Sequence, residues 1–177
     1  MEGFSVGIIT VSDKGSKGER EDASGPAIEE IMKQIGGRVE KYVIVPDEMR
    51  DIKEAIIDMS DTLGLNLILT TGGTGFSKRD ITPEATLEVI ERYVPGIPEA
   101  MRAKSLQATP KAMLSRAQAG IRKQSLIINL PGSPKGVREN LEAIIPALKH
   151  GIEILTGQAS ECGGKCLNEK VSSSLKD

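Results

Sequence analysis

The stretch Asn66-Leu-Ile-Leu-Thr-Thr-Gly-Gly-Thr-Gly-Phe-Ser-Lys-Arg-Asp-Ile-Thr-Pro-Glu84 decides the fold of this 177-residue chain. Its first six residues, 66–71, have a continuous apolar centre, as in a strand that is covered on both faces of a sheet. Its last three, Thr82-Pro83-Glu84, open a helix. Thr82 can cap the first turn, Pro83 fits it, and Glu84 suits the positive end of the helix dipole. A strand, a glycine-rich loop and a helix in this order predict one unit of an α/β protein.

The same alternation of strands and helices extends to both sides of this stretch. Apolar runs predict strands at 5–11, 39–45 and 125–130, with a short edge strand at 120–122. Helical spacing predicts helices at 28–35, 52–63, 83–94, 98–107, 114–119 and 137–152. Gly36-Gly37 and Gly64 end the first two helices, and Leu87, Ile90 and Val94 form the expected buried side of the third. We therefore expect an α/β fold: a doubly wound, mostly parallel sheet with helices on both faces. It forms a single domain over residues 1–157, followed by a polar flexible tail over 158–177.

Composition and charge exclude several classes of function. The formal net charge is −2, whereas a duplex-binding protein needs a strongly basic face, and four aromatic side chains are too few for a base-stacking platform. No apolar run approaches the ~20 residues that span a bilayer, and the first residues carry no basic leader. We therefore expect a cytoplasmic protein with no nucleic-acid and no membrane partner. Cys162 and Cys166 lie in the predicted tail, where one cysteine pair is a weak metal-binding signal. The single histidine, His150, is predicted to be structural within a helix, which disfavours a Ser-His-Asp triad.

The loop after the third strand carries Gly72, Gly73 and Gly75. Glycines let a backbone take positive φ and approach a ligand closely, and successive free amides form a nest that binds anions. The hydroxyls of Thr71 and Thr74 would add donors. The alternative is a flexible strand–helix connection, although such connections usually need only about 2–6 residues. The spacing is that of neither a P-loop nor a dinucleotide-binding fingerprint, so we interpret the loop as an anion site of another kind.

Polar residues also follow the other main strands. Ser12 and Asp13 follow the first strand, Asp47 follows the second, and residues 129–134 surround the end of the fourth. Ligands of doubly wound sheets bind outside the carboxyl ends of the strands, where Asp47 and Asp80 could converge on one Mg²⁺. Two alternatives stay open, because Asp47 could be a helix N-cap and Asp80 a turn or cap residue.

Cationic side chains occur in small clusters along the chain. They are Lys14, Lys17 and Arg20; Lys78 and Arg79; Arg102 and Lys104; Arg122 and Lys123; and Lys135 and Arg138. For most of them a solvated surface is a sufficient explanation. The alternative applies to clusters in loops beside strand ends, where local positive charge would attract a small polyanion.

Several segments of the chain together are characteristic of one protein family. They are Ser12-Asp13, Pro46-Asp47-Glu48, Thr70-Thr71-Gly72-Gly73-Thr74-Gly75, Arg79-Asp80-Ile81-Thr82-Pro83-Glu84-Ala85, Leu114-Ser115-Arg116, Gly120-Ile121-Arg122 and Leu130-Pro131-Gly132-Ser133-Pro134-Lys135. In these segments the chain resembles the molybdopterin adenylyltransferases of the MogA/MoaB type, which are related to the G domain of gephyrin. The resemblance covers residues 5–155. The combined set is specific, although the glycine loop alone would not be.

The resemblance implies an activity, a site and partners. The family transfers AMP from Mg-ATP to the terminal phosphate of molybdopterin, which gives adenylylated molybdopterin and pyrophosphate. The resemblance implies that Asp47 and Asp80 are the catalytic residues and the Mg²⁺ ligands. The residues implied in substrate binding are Ser12, Asp13, Thr71, Gly72, Gly73, Thr74, Gly75, Ser105, Ser115, Asn129, Pro131, Gly132 and Ser133. It also implies a homotrimer and a downstream molybdenum-insertion protein, for molybdenum or tungsten. Two rival functions remain: a non-catalytic molybdopterin-binding scaffold, and a related hydrolase of the nucleotide pyrophosphatase type.

Overall fold

The computed structural model describes residues 3–158, which form one six-stranded sheet with helices packed on it. The strands are β1 (Phe4–Val11), β2 (Gly37–Val45), β3 (Leu67–Thr71), β4 (Arg92–Tyr93), β5 (Ala119–Arg122) and β6 (Ser125–Leu130). The helices are α1 (Asp13–Ser16), α2 (Ser24–Gln34), α3 (Met49–Ile57), α4 (Thr82–Val89), α5 (Gly96–Leu106) and α6 (Pro134–Leu155). A π-helical turn (Asp58–Thr62) continues α3, and a 3₁₀ turn (Pro110–Leu114) follows α5.

The strand order is β2-β1-β3-β6-β5-β4. The first four strands are parallel, β5 runs antiparallel to β6, and β4 runs antiparallel to β5. This confirms the predicted doubly wound, mostly parallel sheet. The chain leaves β1 to one side for β2 and returns to its other side for β3, so the order reverses between β1 and β3. Ligand sites of such sheets lie at this reversal, outside the carboxyl ends of the strands.

Alternate residues of the central strands enter two separate cores, one on each face of the sheet. On β1, Val6 and Ile8 face the core built with α2, α5 and α6, whereas Ile9 and Val11 face the core built with α3 and α4. Ile8 and Ile9 are both fully buried, and burying an isoleucine side chain stabilises a fold by roughly 1.5–3 kcal/mol. These two layers fix the central strands, and with them the loops at their carboxyl ends.

The helix predicted at 114–119 is wrong. The 3₁₀ turn ends at Leu114, and residues 115–118 are neither helix nor strand before β5 begins. The backbone amide of Arg116 donates to Thr74 O at 3.0 Å and that of Asn129 donates to Gln118 O at 2.9 Å. These long-range bonds replace the local ones that a helix would need. The strand predicted at the sheet edge, β5, is internal, because β4 pairs with its other side.

Three details of the predicted helices are also corrected. Leu87 is 47% exposed, and the buried face of α4 is formed by Ala85, Thr86 and Val89 instead. Thr82 lies inside α4 and does not cap it, because its hydroxyl donates to Gly72 O at 2.9 Å. Gly37 begins β2 and does not end the preceding helix.

The predicted tail falls almost wholly outside the described residues, and so do Cys162 and Cys166. Gln158 is the exception, with its amide bonded to Glu153 O at 2.8 Å. His150 lies on α6 with an exposed side chain. Over residues 3–158, every helix is too short or too polar to cross a bilayer.

Candidate active site

A cleft of about 280 Å³ opens at the carboxyl ends of β1 and β3, where the strand order reverses. It is walled by the turn after β1, the segment before α2, and the loops after β2, β3 and β6. The lining residues are Thr10, Val11, Ser12, Gly15, Arg20, Glu21, Asp22, Ala23, Ser24, Asp47, Thr71, Gly72, Gly73, Asp80, Gly132 and Pro134. The sheet topology therefore brings together Ser12, Asp47, Thr71, Gly72, Gly73, Asp80 and Gly132, all of which were predicted from sequence to be site residues.

Asp47 is held in the cleft by a reciprocal pair of hydrogen bonds with Asp13. The amide of Asp13 donates to Asp47 Oδ2 at 2.8 Å, and the amide of Asp47 donates to Asp13 Oδ1 at 3.1 Å. The N-cap of α3 is Glu48, which makes no side-chain capping bond. The alternative of Asp47 as a plain helix N-cap is therefore wrong. Its carboxylate is a positioned group between the ends of β1 and β2.

Arg79 closes this corner of the cleft from the loop after β3. It donates from Nε and Nη2 to the two carboxylate oxygens of Asp13, at 3.0 and 2.8 Å, and Nη2 is also 2.8 Å from Glu48 Oε1. The hydrogen bond from Arg79 lowers the pKa of Asp13, and the Asp13 and Glu48 carboxylates raise the pKa of Arg79. Asp13 thus stays ionised, and three loops are joined through one guanidinium.

The charge of Asp47 is less well compensated than that of Asp13. Burial raises the pKa of Asp47, and the nearby Asp13 and Asp80 carboxylates add to this effect. The hydrogen bond from the Asp13 amide and the charge of Arg79 oppose it but do not reverse it. A carboxylate whose ionised form is disfavoured in this way is well suited to bind a cation.

The glycine loop fits between the two predicted ligand carboxylates because it lacks side chains. A Cβ on Gly73 would overlap Thr82 Oγ1 and lie 3.3 Å from Asp47 Oδ1, and Gly73 has a φ of +63°. A Cβ on Gly75 would lie 2.9 Å from Asp80 Oδ2. Asp80 also accepts a hydrogen bond from the amide of Ser77 at 2.9 Å. It therefore forms a turn, as one alternative predicted, and still lines the cleft.

Two groups expected to donate to a ligand have partners inside the protein. The amide of Gly72 donates to Leu130 O at 3.3 Å, and the hydroxyl of Thr71 donates to Pro131 O at 2.7 Å. Both bonds join the loop after β3 to the loop after β6. Over residues 3–158, the amides of Gly73, Thr74 and Gly75 make no hydrogen bond. The predicted anion nest is therefore limited to these three amides.

The remaining predicted site residues lie outside the cleft lining. Asn129 is fully buried, and its side-chain amide donates to the hydroxyls of Thr70 and Thr86. Ser105 Oγ accepts from Asn140 at 3.3 Å, and Ser115 Oγ accepts from the amide of Ala117 at 3.4 Å. The others also fall outside the cleft lining: Asp13 begins α1, Ser133 caps α6, and Thr74, Gly75 and Pro131 lie in the loops after β3 and β6.

Sequence reasoning missed two residues that shape the site, Arg116 and Asp22. Arg116 donates from Nε to Gly75 O at 2.7 Å and from its Nη atoms to Asp80 O and Glu84, so it clamps the glycine loop from outside. No local pattern could indicate these side-chain contacts, which span 32 to 41 residues. Asp22 accepts from the amides of Ser24 and Gly25, and an acid just before a helix start was a usable signal for it.

Comparison with known proteins agrees with this geometry. Residues 7–150 match the family described as "Probable molybdopterin binding domain", and the chain belongs to that family. It is 44% identical to a molybdopterin adenylyltransferase of Helicobacter pylori over 93% of this chain and 95% of that protein. It also matches the crystal structure of the molybdopterin biosynthesis enzyme MoaB of Thermus thermophilus, with 52% identity and a TM-score of 0.83 over 87% of this chain and 97% of that one. The tungsten cofactor synthesizing protein MoaB of Pyrococcus furiosus gives 38% identity and a TM-score of 0.80, over 88% and 98% of the two chains.

Proposed function

We propose that this chain adenylylates molybdopterin, using ATP as the AMP donor. The observation that carries the proposal is the cleft itself. In it the Asp47 and Asp80 carboxylates flank a glycine loop at the reversal of strand order. The identity to a protein named molybdopterin adenylyltransferase, which extends over nearly the whole of both chains, supports the same activity.

The reaction requires little covalent chemistry from the protein. An oxygen of the terminal phosphate of molybdopterin attacks the α-phosphorus of ATP. The new P–O bond forms as the bond from the α-phosphorus to the oxygen bridging the β-phosphorus breaks, and pyrophosphate leaves with that oxygen. The nucleophile is already anionic, so no protein base has to remove a proton. Catalysis can then consist of positioning and charge compensation, as in other phosphoryl transfers.

The residues of the cleft fit a magnesium ion as part of this chemistry. Burial and the nearby Asp13 and Asp80 carboxylates raise the pKa of Asp47, and a bound cation would offset both effects. In the described part of the chain nothing donates to Asp47 Oδ1. Over residues 3–158, no three His, Cys, Asp or Glu side chains converge as a complete metal site. Two carboxylates, with phosphate oxygens and water as the other ligands, are a typical Mg²⁺ set. Asp47 and Asp80 would hold the ion, which when bound neutralises charge on the phosphates.

The other residues are assigned to substrate positioning within this proposal. The free amides of 73–75 would donate to phosphate oxygens. Ser105 and Ser115, outside the cleft, would bind the pterin end. Asn129 would act indirectly, by holding β6 against β3 and α4. A cytoplasmic homotrimer that passes its product to a metal-insertion protein, for molybdenum or tungsten, completes the proposal.

One experiment tests the proposal against its rivals. The protein is incubated with molybdopterin, ATP and Mg²⁺, with mass spectrometry of the pterin and measurement of pyrophosphate. We expect adenylylated molybdopterin, and pyrophosphate only when molybdopterin is present. Nucleotide cleavage without molybdopterin would indicate a hydrolase. Tight molybdopterin binding without product would indicate a scaffold. Either outcome overturns the proposed activity.

A further inference from the structure

Arg20 is the only lysine or arginine among the described residues that line the cleft. Its side chain is exposed at the mouth, and within residues 3–158 it has no ion-pair or hydrogen-bond partner. The other cation at this corner, Arg79, is already engaged by Asp13 and Glu48. Among residues 3–158, Arg20 is thus the one cation in the cleft lining that is free to meet a ligand.

The other charged side chains in the described lining of the cleft are acidic. They are those of Glu21, Asp22, Asp47 and Asp80, so the lining carries four carboxylates and one guanidinium. A phosphate-bearing substrate would be repelled by such a surface unless positive charge compensates it. A guanidinium suits this purpose, because its fork of donors matches the oxygens of a phosphate group.

Asp22 anchors the backbone that carries Arg20. Its carboxylate accepts from Thr10 Oγ1 at 2.5 Å, from the Tyr42 hydroxyl, and from the amides of Ser24 and Gly25 at 2.8 and 3.1 Å. Burial works against its ionisation, but these hydrogen bonds outweigh it and lower the pKa of Asp22. Burial and the bond to Asp22 raise the pKa of Tyr42 to about 12, so the phenol stays a donor.

The segment around Arg20 is fixed on both sides. Before it, the amides of Gly18 and Glu19 donate to Gly15 O and Lys14 O at 3.0 and 2.9 Å. After it, Ser24 Oγ donates to Gly132 O at 3.0 Å, which ties the segment to the loop after β6. The Arg20 backbone is therefore placed by the fold, and its long side chain alone has to adapt to a ligand.

We propose that Arg20 binds a phosphate group of a substrate in this cleft, and that Asp22 is the positioning residue that holds it there. The identity of that substrate rests on the proposed function. The phosphate belongs either to the triphosphate of ATP or to molybdopterin. Both present the same chemistry to a guanidinium, so the test separates them.

The test compares Arg20→Gln with wild type and with Arg38→Gln. Arg38 is also exposed, but it lies near the amino end of β2, away from the carboxyl ends of the strands that form the cleft, and it pairs with Glu40. Each protein is titrated calorimetrically at low salt with Mg-ATP, with molybdopterin, and with Mg²⁺ plus inorganic tripolyphosphate. We expect Arg20→Gln to weaken the binding of Mg-ATP or of molybdopterin by roughly ten- to a hundredfold. Arg20→Lys should restore part of the lost affinity, and Arg38→Gln should leave both affinities unchanged.

The ligand whose binding is weakened in Arg20→Gln identifies the source of the phosphate. A loss in Arg20→Gln no larger than that in Arg38→Gln, for all three ligands, overturns the proposal. If wild type binds tripolyphosphate through Arg20 but produces no adenylylated pterin, the proposed function fails while the phosphate site stands. If wild type binds none of the three, both fail.

Asp22 is tested through its coupling to Arg20. Asp22→Asn alone should weaken binding of the ligand that Arg20 contacts. In the Arg20→Gln background it should add little further loss, because the group it positions is gone. A merely structural role for Asp22 would give equal losses in both backgrounds, for every ligand, and would refute its assignment as a positioning residue.

Discussion

Replacing Gly73 by alanine tests whether the glycine loop is built around the Asp47 carboxylate. Gly73 has a φ of +63°, and an L-residue in this region costs about 1–2 kcal/mol. The added Cβ would also displace the Thr82 hydroxyl that donates to Gly72 O, and losing that bond costs about 0.5–1.5 kcal/mol. The free energy of unfolding should therefore fall by roughly 2–3 kcal/mol.

Gly64→Ala is a matched control for this change. Gly64 has nearly the same φ, +61°, but a Cβ there would meet nothing within 4 Å. The Gly64→Ala variant should lose only the free energy that a positive φ costs an L-residue, about 1–2 kcal/mol, and keep full activity. In Gly73→Ala the Cβ lies 3.3 Å from Asp47 Oδ1, so the carboxylate has to shift, and kcat/KM for AMP transfer should fall by about ten- to a hundredfold. Urea unfolding without ligand gives the stabilities. Equal unfolding free energies and equal kcat/KM in the two variants would refute the reasoning.

Four further predictions concern the site. Asp80→Asn keeps an oxygen that can accept from the Ser77 amide, so it should leave stability near wild type. AMP transfer at limiting Mg²⁺ should fall on the order of a hundredfold, and near-normal turnover would make Asp80 only a turn residue. Because burial raises the pKa of Asp47, turnover at limiting Mg²⁺ should decline on acidification at a higher pH than for an ordinary aspartate. The same raised pKa means that ionised Asp47 disfavours the apo fold at neutral pH. Asp47→Asn should then unfold at an equal or higher urea concentration while losing turnover, and a clear drop in stability would contradict this. Ser115→Ala should weaken molybdopterin binding about ten- to a hundredfold with Mg-ATP binding unchanged in calorimetry; equal losses for both ligands would make Ser115 structural.

The layered sheet could be predicted from sequence because its causes are local. Continuous apolar runs gave the buried strands, and Gly64 and Pro83 marked a helix end and a helix start by their own conformational preferences. These features depend on residues within a few positions of one another. The convergence of Asp47 and Asp80 at the carboxyl ends of the strands then followed from parallel topology.

The errors arose where long-range bonds decide the structure. Residues 115–118 have a helical composition, but the amide and the side chain of Arg116 bind the glycine loop, and the amide of Gln118 binds the Asn129 side chain. Asn129 lies near the carboxyl end of β6, as a site residue would, yet its side-chain amide is used between β6, β3 and α4. Thr71 likewise donates across the sheet to Pro131 O. No pattern in the sequence shows which polar group is left free for a ligand.

The loop after β3 and the loop after β6 contact each other at Gly72 and Gly132, and this contact limits how the sequence can change over evolutionary time. A Cβ on Gly132 would lie 3.2 Å from the Cα of Gly72, and a Cβ on Gly72 would overlap Val11 O. With the bonds of Gly72 N to Leu130 O and Thr71 Oγ1 to Pro131 O, the two loops form one rigid unit. A side chain at Gly72 would require the loop after β3 to move away from β1, and one at Gly132 would require Gly72 to shift, so substitution is disfavoured at both positions. The segment that carries Arg20 and Glu21, both of which are exposed, is under no such restriction. Diversification of substrate preference in this architecture is therefore directed to residues 19–21, and a mutant library aimed at new specificity has the best chance of yielding folded variants there.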